Sequence, residues 1–342
     1  MKKVIITGIT GQDGSHMADY LLKNTSHTII AGIRRLSIKN HGNISHLIDH
    51  PRFKLIDLDI TDQTNTAQVV ADEQPDYFIN FAANSFVGVS WKQPVNHMET
   101  NSMAVLYQLE AIRKHCPSCR YYNAGSSEEF GDVVTKQQNE DSPLRPRSPY
   151  AVSKCSARHM VKVWRDSYDL YAVQGWLFNH EGTRRGEEFV TRKITKNISR
   201  IAREFRYGKK ITPLQLGNLD ARRDWSDAED FVEAVWKMVN QSSPKDYVIA
   251  SDETHTIREF VEEAFNFAGF HRSRCRWEGE NHNEKYFHGK DCVVEINKDF
   301  YRPAEVEFLC GDSSLARKEL NWQPRTTFLG LVKKMVDADL KD

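Results

Sequence analysis

Tyr150 and Lys154 lie four residues apart in the segment RSPYAVSK, and this spacing could support acid–base chemistry. Ser148 suits the N-cap of a helix and Pro149 its first turn, so both side chains are expected on one helical face, one turn apart. A nearby ammonium group stabilises phenolate and lowers the pKa of a phenol. Tyr150 would then act as a base near neutral pH, although an isolated pair with this spacing is often only part of an amphipathic helix.

A second group of reactive residue types is the segment AGSSEEFG, residues 124–131. It places two hydroxyls, Ser126 and Ser127, directly before two carboxylates, Glu128 and Glu129. A loop this polar is commonly only solvated, but a carboxylate there could also act as a general acid or base. Taken alone, the segment leaves open whether either glutamate has that role.

The segment TGITGQDGS follows the first predicted strand and opens a helix, which is the context of a dinucleotide-binding loop. Its three glycines form a spacing variant of the usual fingerprint. Small residues let the backbone approach a pyrophosphate, and the helix N-terminus supplies free N–H groups and the positive end of the helix dipole. The predicted cofactor contacts in this loop are Gly8, Ile9, Thr10, Gly11, Gln12, Asp13 and Gly14.

The end of the second predicted strand indicates which dinucleotide binds. An NAD-binding chain usually has an acidic residue about 20 positions after the glycines, where it holds the ribose 2′-hydroxyl. Here the region reads GIRRLS, so Arg34 and Arg35 would instead pair with the 2′-phosphate of NADP. NADP is therefore the predicted cofactor, and two solvated arginines are the alternative.

Strand and helix signals alternate through the first half of the chain. The predicted strands are KVIIT, TIIAGI, FKLIDLD, DYFINFA, RYYNAG and YAVQGWLF. Their apolar runs do not alternate cleanly with polar residues, as expected for strands covered on both faces. The clearest helices run from Pro94 to His115 and from Pro149 to Tyr168. The pattern predicts an α/β fold with a doubly wound, Rossmann-type parallel sheet that binds ligands at the carboxyl ends of its strands.

The second half of the chain is predicted to add a smaller C-terminal α/β substrate domain. It contains the helix DFVEAVWKMV, the strand DYVIA and an amphipathic helix after Thr256. The predicted division assigns residues 1–178 to the NADP-binding domain, with segments returning from about 220–250. Residues 179–342 are assigned mainly to substrate binding.

The composition argues against several classes of protein. Lys+Arg and Asp+Glu both number 47, and this balance argues against nucleic-acid and membrane-surface binding. The apolar runs are too short for a membrane span, and that of MKKVIITG is too short for a secretory signal. The 6 cysteines indicate reduced thiols, and the lone CPSC pair lacks the partners of a zinc site, so no metal is expected. A cytoplasmic protein is predicted.

In combination, these motifs resemble the extended short-chain dehydrogenase/reductases, which act on nucleotide sugars. More closely, the chain is similar to the GDP-mannose 4,6-dehydratase family. The similarity is carried by segments spread over nearly the whole chain: GITGQDGS, FAANSFVGVS, RSPYAVSK, LFNHEGTRRGEEFVTRKIT, LGNLDARRDW, YRPAEV and LNWQP. It implies conversion of a GDP-linked sugar to its 4-keto-6-deoxy product, with NADP regenerated in each cycle.

The resemblance also implies roles for the catalytic candidates. Tyr150, with Lys154 beside it, would take the proton of the hydroxyl at sugar carbon 4 while hydride passes to NADP. Glu128 would remove the proton at carbon 5 and assist loss of the hydroxyl at carbon 6, and Ser126 would hydrogen-bond near the reacting oxygen. Ser126 stands where the family usually has threonine. Glu129 stands where it usually has an apolar residue, so Glu129 is predicted to be solvated or structural.

Other family positions carry over where the residues match. The implied cofactor contacts are Asp59, Ile60, Phe81, Ala82, Ala83, Asn84, Ser85, Lys154, His180 and Arg185. The implied substrate contacts are Ser85, Asn179, Lys193, Gly217, Arg223, Arg302 and Glu305. Asn96 replaces a residue that is commonly tyrosine in the family. A basic helical stripe beside Lys193 is predicted to be solvated or oligomer-facing, and it consists of Arg192, Lys196, Arg200 and Arg203.

Three alternatives stay open at this point. A 4-reductase or 4-epimerase would use Tyr150 and Lys154 but needs no base at carbon 5, so Glu128 argues against it. The same dehydration on a GDP-manno-heptose is open because Ser126 replaces threonine. A nucleotide sensor without catalysis is disfavoured by the four retained side chains. The resemblance also implies a homo-oligomer, a tetramer or a dimer, in which the loop after Arg35 reaches a neighbouring subunit's cofactor.

Overall fold

The computed structural model describes residues 1–301 and 306–341. The strands are β1 (Lys3–Thr7), β2 (Thr28–Ile33), β3 (Phe53–Asp57), β4 (Tyr77–Asn80), β5 (Arg120–Ala124), β6 (Ala172–Leu177), β7 (Asn179–Glu181), β8 (Leu214–Leu216), β9 (Arg222–Arg223), β10 (Trp225–Asp227), β11 (Val248–Ile249), β12 (His255–Thr256), β13 (Cys275–Glu278), β14 (Lys285–His288), β15 (Asp291–Ile296) and β16 (Phe308–Leu309). The helices are α1 (Gln12–Asn24), α2 (Gln63–Glu73), α3 (Val87–Ser90), α4 (Pro94–Met98), α5 (Ala104–His115), α6 (Pro149–Tyr168), α7 (Val190–Arg206), α8 (Ala228–Met238), α9 (Ile257–Phe267), α10 (Ser314–Leu320) and α11 (Phe328–Lys341). Among these residues, no helix is both long and apolar enough to cross a membrane.

The main sheet has the order β11-β6-β5-β4-β1-β2-β3, and every neighbouring pair in it is parallel. This order is that of a doubly wound sheet, so the predicted Rossmann-type α/β fold is confirmed. The chain switches direction across the sheet between β1 and β4. The crevice outside the carboxyl ends of these two strands is therefore the expected ligand site.

Burial on both faces explains why the strand sequences do not alternate. Val4 and Ile6 of β1 belong to one core cluster, together with Leu21 of α1. Ile5 belongs to a second cluster on the other side, together with Leu109 of α5. Each face of the sheet thus packs against helices, and apolar residues are required at successive positions.

The predicted helices are confirmed, whereas several strands are shorter than predicted. The helix predicted from Pro149 to Tyr168 is α6, and the one predicted from Pro94 consists of α4 and α5 joined by a π-helical turn, Glu99–Met103. Strands β3 and β4 end at Asp57 and Asn80, two residues earlier than predicted. The residues that follow line the ligand crevice.

The second half of the chain builds a separate core. Strands β13, β14, β15 and β8 form one sheet, against which α7, α9 and α11 contribute residues such as Ile198, Phe260 and Val332. Strand β11, in contrast, returns to the main sheet beside β6. The division of the chain near residue 178 stays a prediction.

The basic stripe on α7 is not solvated along its whole length, which corrects the prediction. Arg192 is buried, with Nη2 2.9 Å from Asp339 Oδ1 and Nη1 donating to the carbonyl of Thr183. Lys196 Nζ lies 3.4 Å from the same carboxylate. Asp339 of α11 is buried, and a buried carboxylate requires such compensation, so this part of the stripe faces α11.

Candidate active site

One cavity of about 1730 Å³ opens at the carboxyl ends of the main-sheet strands. Every predicted site residue that lies within the described part of the chain lines this cavity. Arg302 and Glu305 lie outside the described residues. The fold therefore gathers segments far apart in sequence around one space, as required for a cofactor and a substrate to meet.

The catalytic candidates on α6 sit at its beginning. Ser148 caps the helix by accepting a hydrogen bond from the N–H of Ala151 at 3.1 Å. Lys154 Nζ lies 5.9 Å from the centroid of the Tyr150 ring and donates to the carbonyl of Ala124 at 2.7 Å. The helix start and the end of β5 are thus joined by the lysine, and both side chains are buried beside the cavity.

The pKa of Tyr150 differs from the sequence-based expectation. Burial raises the pKa of Tyr150 above its usual value, although a hydrogen bond with the Ser126 side chain opposes this and the Glu128 charge adds to it. Burial also lowers the pKa of Lys154 to about 8. The helical spacing correctly predicted that the two side chains are neighbours. Whether the pKa of Tyr150 rises or falls depends on desolvation by the surrounding fold, and the spacing of two residues in the sequence does not predict desolvation.

The two glutamates after β5 have opposite environments. Glu128 is half-buried and lines the cavity, with its N–H donating to Ser126 Oγ at 3.2 Å. Glu129 is fully buried, and its Oε2 lies 2.5 Å from Arg158 Nε. Glu129 is therefore structural and not solvated, and Glu128 is the carboxylate that faces the cavity.

The glycine loop after β1 is tightly packed against the sheet. Gly8 has φ +68°, and a Cβ there would lie 2.7 Å from the backbone nitrogen of Ala82. A Cβ on Gly14 would lie 2.4 Å from the carbonyl oxygen of Gly8. Gly11 is the N-cap of α1 and supplies no side-chain cap, so the helix N-terminus reaches the cavity with backbone donors.

Two predicted cofactor contacts pair with each other across the cavity wall. Asp13 Oδ2 lies 2.9 Å from His180 Nε2, and the other ring nitrogen lies 2.7 Å from the carbonyl of Phe178. Burial opposes charge on both side chains, but their mutual attraction raises the pKa of His180 and lowers that of Asp13. This ion pair joins α1 to β7. Its two residues are 167 positions apart, so the sequence alone does not predict the contact.

The surroundings of the glycine loop fit a phosphate-bearing dinucleotide. Arg34 and Arg35 are exposed at the cavity, and within the described residues neither forms an ion pair. Gln12 Oε1 is buried and has no hydrogen-bond partner among those residues. Asn43, which sequence reasoning missed, donates to the carbonyl of Thr10 at 3.0 Å and ties the loop after β2 to the glycine loop.

The far side of the cavity is formed by the second half of the chain. Lys193 Nζ lies 3.5 Å from the centroid of the Phe300 ring, and burial lowers the pKa of Lys193. A Cβ on Gly217 would lie 2.8 Å from the carbonyl oxygen of Phe300. Arg223 also lines this region, and its charge together with that of Lys193 suits a diphosphate. Phe300 was not predicted, although it directly precedes the segment YRPAEV.

Comparison with known proteins gives consistent matches over nearly the full length. The family model described as GDP-mannose 4,6 dehydratase matches residues 5–335. A GDP-mannose 4,6 dehydratase of Drosophila melanogaster is 43% identical, with 99% of this chain and 86% of that protein covered. The enzyme of that name from Homo sapiens is 40% identical, with 98% and 91% covered. One from Vibrio cholerae serotype O1 is 39% identical, with 99% and 94% covered.

Solved structures agree with the fold. A dTDP-glucose 4,6-dehydratase of Bacillus anthracis in complex with NAD has a TM-score of 0.81 at 21% identity, with 100% of this chain and 97% of that chain covered. The RMD protein of Pseudomonas aeruginosa complexed with NADPH has a TM-score of 0.76 at 18% identity, with 100% of each chain covered. At such identities the likeness concerns the fold alone.

Proposed function

The chain belongs to the GDP-mannose 4,6-dehydratase family, and on that premise we propose that it is a hydro-lyase acting on a GDP-mannose-type sugar. Its product is the 4-keto-6-deoxy sugar nucleotide. One observation carries the proposal: the glycine loop and the side chains of Ser126, Glu128, Tyr150 and Lys154 line the same cavity. This arrangement supports a nucleotide site and an acid–base site in the same cavity.

The proposed cofactor is NADP, held by the glycine loop and the N-terminus of α1. Arg34 and Arg35 would pair with its 2′-phosphate, for which their exposed position at the cavity is suited. When bound, NADP supplies a site that accepts a hydride from sugar carbon 4 and returns it to carbon 6. The use of NAD or NADPH by proteins of the same fold supports a nicotinamide cofactor.

Tyr150 acts first, as the base that takes the proton of the hydroxyl at carbon 4. Its hydrogen bond with Ser126 favours phenolate, whereas burial disfavours it. Lys154 holds an ammonium group one helical turn away and favours the charged form through space. Ser126 thereby connects the base to the turn that carries Glu128.

Glu128 acts second, on a different atom of the sugar. Once carbon 4 is a ketone, the proton on carbon 5 is acidic, and a carboxylate at the cavity wall can remove it. The same group can then donate this proton to the hydroxyl that leaves carbon 6 as water. Carbon 5 takes up a new proton when hydride returns to carbon 6, and the proton lost from the carbon 4 hydroxyl balances it. Glu129 cannot share this role because it is buried against Arg158.

The diphosphate and nucleoside of the substrate are assigned to the second half of the cavity. Lys193 and Arg223 supply positive charge there, and Asn179 and Gly217 complete the wall. These groups lie on β7, α7 and the segments around β8 and β9. The reacting sugar would then extend towards Glu128 and Tyr150.

Mass spectrometry of the product from GDP-mannose tests the proposal. A product lighter by one water supports it. No change of mass with GDP-mannose, but dehydration of a GDP-manno-heptose, would move the substrate to the longer sugar. A product of unchanged mass that separates from GDP-mannose by chromatography would indicate epimerisation. A 4-reductase would convert neither sugar, because neither has a keto group to reduce.

Two variants test the separate steps. Glu128→Gln should still reduce the cofactor but release little 6-deoxy product, because carbon 5 keeps its proton. Tyr150→Phe should lose the reduction step itself. Each loss should be roughly 10²–10⁴-fold, as is usual for general acid–base groups. Dehydration by Glu128→Gln at the normal rate would refute this assignment.

A further inference from the structure

A row of buried polar side chains crosses the main sheet from β1 to β6. Thr7 Oγ1 donates to Asn80 Oδ1 at 2.5 Å, and Asn80 Nδ2 donates to Asn123 Oδ1 at 2.8 Å. Asn123 Nδ2 then donates to Gln174 Oε1 at 2.6 Å. The four residues are register partners in adjacent parallel strands, so the row runs straight across the sheet.

The row ends at Glu129. Gln174 Nε2 donates to Glu129 Oε1 at 3.2 Å and to the carbonyl of Lys154 at 3.2 Å. An ionised carboxylate only accepts hydrogen bonds, so the amide nitrogen of Gln174 must face it and the amide oxygen must face Asn123. The same reasoning orients Asn123 and then Asn80. Glu129 therefore sets the direction of every amide in the row.

The same carboxylate holds the turn that carries the catalytic candidates. Glu129 Oε1 accepts a hydrogen bond from the N–H of Ser126 at 2.8 Å. Ser126 Oγ in turn accepts from the N–H of Glu128. A Cβ on Gly125 would lie 2.8 Å from both Glu129 Oε1 and Arg158 Nη2, so the turn is packed directly against the ion pair.

Arg158 fixes the carboxylate from the other side. Besides its contact with Glu129, it donates to the carbonyl of Gln174 at 2.9 Å. Its guanidinium carbon lies 3.4 Å from the centroid of a Trp176 ring. The arginine is only 4% exposed and the glutamate 0%, so neither side chain can exchange this arrangement for contacts with water.

The geometry points to Glu129 as a positioning residue for the dehydration, an inference that rests on the proposed function. By accepting the Ser126 N–H it places the Ser126 hydroxyl against Tyr150 and Glu128 at the cavity wall. Through Gln174 it also orients the helix carbonyl of Lys154. An apolar residue is usual at this position in the family, so the role is specific to this chain, where the Ser126 N–H and two buried side-chain donors converge on the carboxylate. If Glu129 only filled space here, an apolar side chain of similar volume would serve as well.

A matched pair of double variants separates these two roles. Glu129→Leu with Arg158→Met and Glu129→Gln with Arg158→Met both remove the buried ion pair without leaving an unpaired charge, a change that is often neutral for stability. Only the glutamine variant keeps an oxygen that can accept the Ser126 N–H. The leucine variant should lose about 10- to 100-fold in kcat, as expected for a misplacement of up to about 1 Å, with KM changed less than about twofold. The glutamine variant should keep most of the wild-type kcat.

Hydrogen exchange of the peptide covering residues 124–131 provides a readout that does not need turnover. Exchange should be faster in the leucine variant and close to wild type in the glutamine variant. Equal exchange and equal kcat in the two folded variants would overturn the positioning role. An inactive wild-type enzyme would instead refute the proposed function, while the exchange comparison would still decide about Glu129.

A third variant covers the case in which the leucine variant does not fold. Glu129→Asp keeps the charge opposite Arg158, but its shorter side chain cannot reach both partners. We expect a lower kcat with an unchanged KM for this variant too. Wild-type kcat in a folded Glu129→Asp protein would overturn the inference.

Discussion

Replacing Gly14 with alanine should weaken cofactor binding while leaving the rest of the fold intact. The new Cβ would lie 2.4 Å from the Gly8 carbonyl oxygen and 2.7 Å from Ile9 Cα, whereas ordinary contacts are 3.4–4 Å. The start of α1 must therefore move away from the glycine loop by roughly 1 Å. Overpacking of this kind costs about 1–3 kcal/mol. If the cost falls on the bound conformation of the loop, affinity drops by about 5- to 150-fold.

Titration of the purified protein with NADP and NADPH, followed by fluorescence or calorimetry, measures this loss. Gly42→Ala is the matched control, because a Cβ at Gly42 meets nothing within 4 Å and the residue does not have positive φ. Gly8→Ala should be worse than Gly14→Ala, since its φ of +68° adds a backbone cost of about 1–2 kcal/mol. Wild-type affinity in Gly14→Ala would refute the assignment of the cofactor to this loop.

Three further predictions concern selectivity, pH and assembly. Arg35→Ala should weaken NADP but not NAD, by about 10- to 150-fold, because a hydrogen bond to a charged group is worth about 1.5–3 kcal/mol; equal loss of both, measured by calorimetry, would contradict the role of this arginine. Lys154 has a folded pKa of about 8 against 10.5 for the free side chain, so its contribution to stability is present above 10.5 and is lost as pH falls through 8. At pH 7, Lys154→Met should therefore have a free energy of unfolding up to about 3 kcal/mol higher than that of wild type, and this difference should disappear in alkaline buffer. A difference that stays constant with pH would argue against a depressed pKa. Light scattering should find a dimer or tetramer, and a fully active monomer at micromolar concentration would exclude an oligomer as the active form.

The spacing of residues in the sequence was sufficient to predict much of the candidate site. The pairing of Tyr150 with Lys154 follows from helical periodicity once Ser148 and Pro149 start α6. The glycines after β1 need only the strand–turn–helix context to be recognised. Parallel strands end at a common edge, so the segments after β1, β4 and β5 were expected to meet there, and they line one cavity.

The sequence by itself therefore determined the fold class and the location of the ligand crevice, because these depend on periodicity and on short motifs. Most of the other lining residues were implied by the family resemblance. Only the tertiary structure decided which groups are charged partners and which are desolvated. Asp13 pairs with His180, and Glu129 is buried against Arg158, through contacts between residues far apart in the chain. The pKa of Tyr150 is raised, and not lowered, because burial by the surrounding elements outweighs the local hydrogen bond with Ser126. Desolvation is a property of everything packed around a group, and no spacing of two residues along the chain contains it.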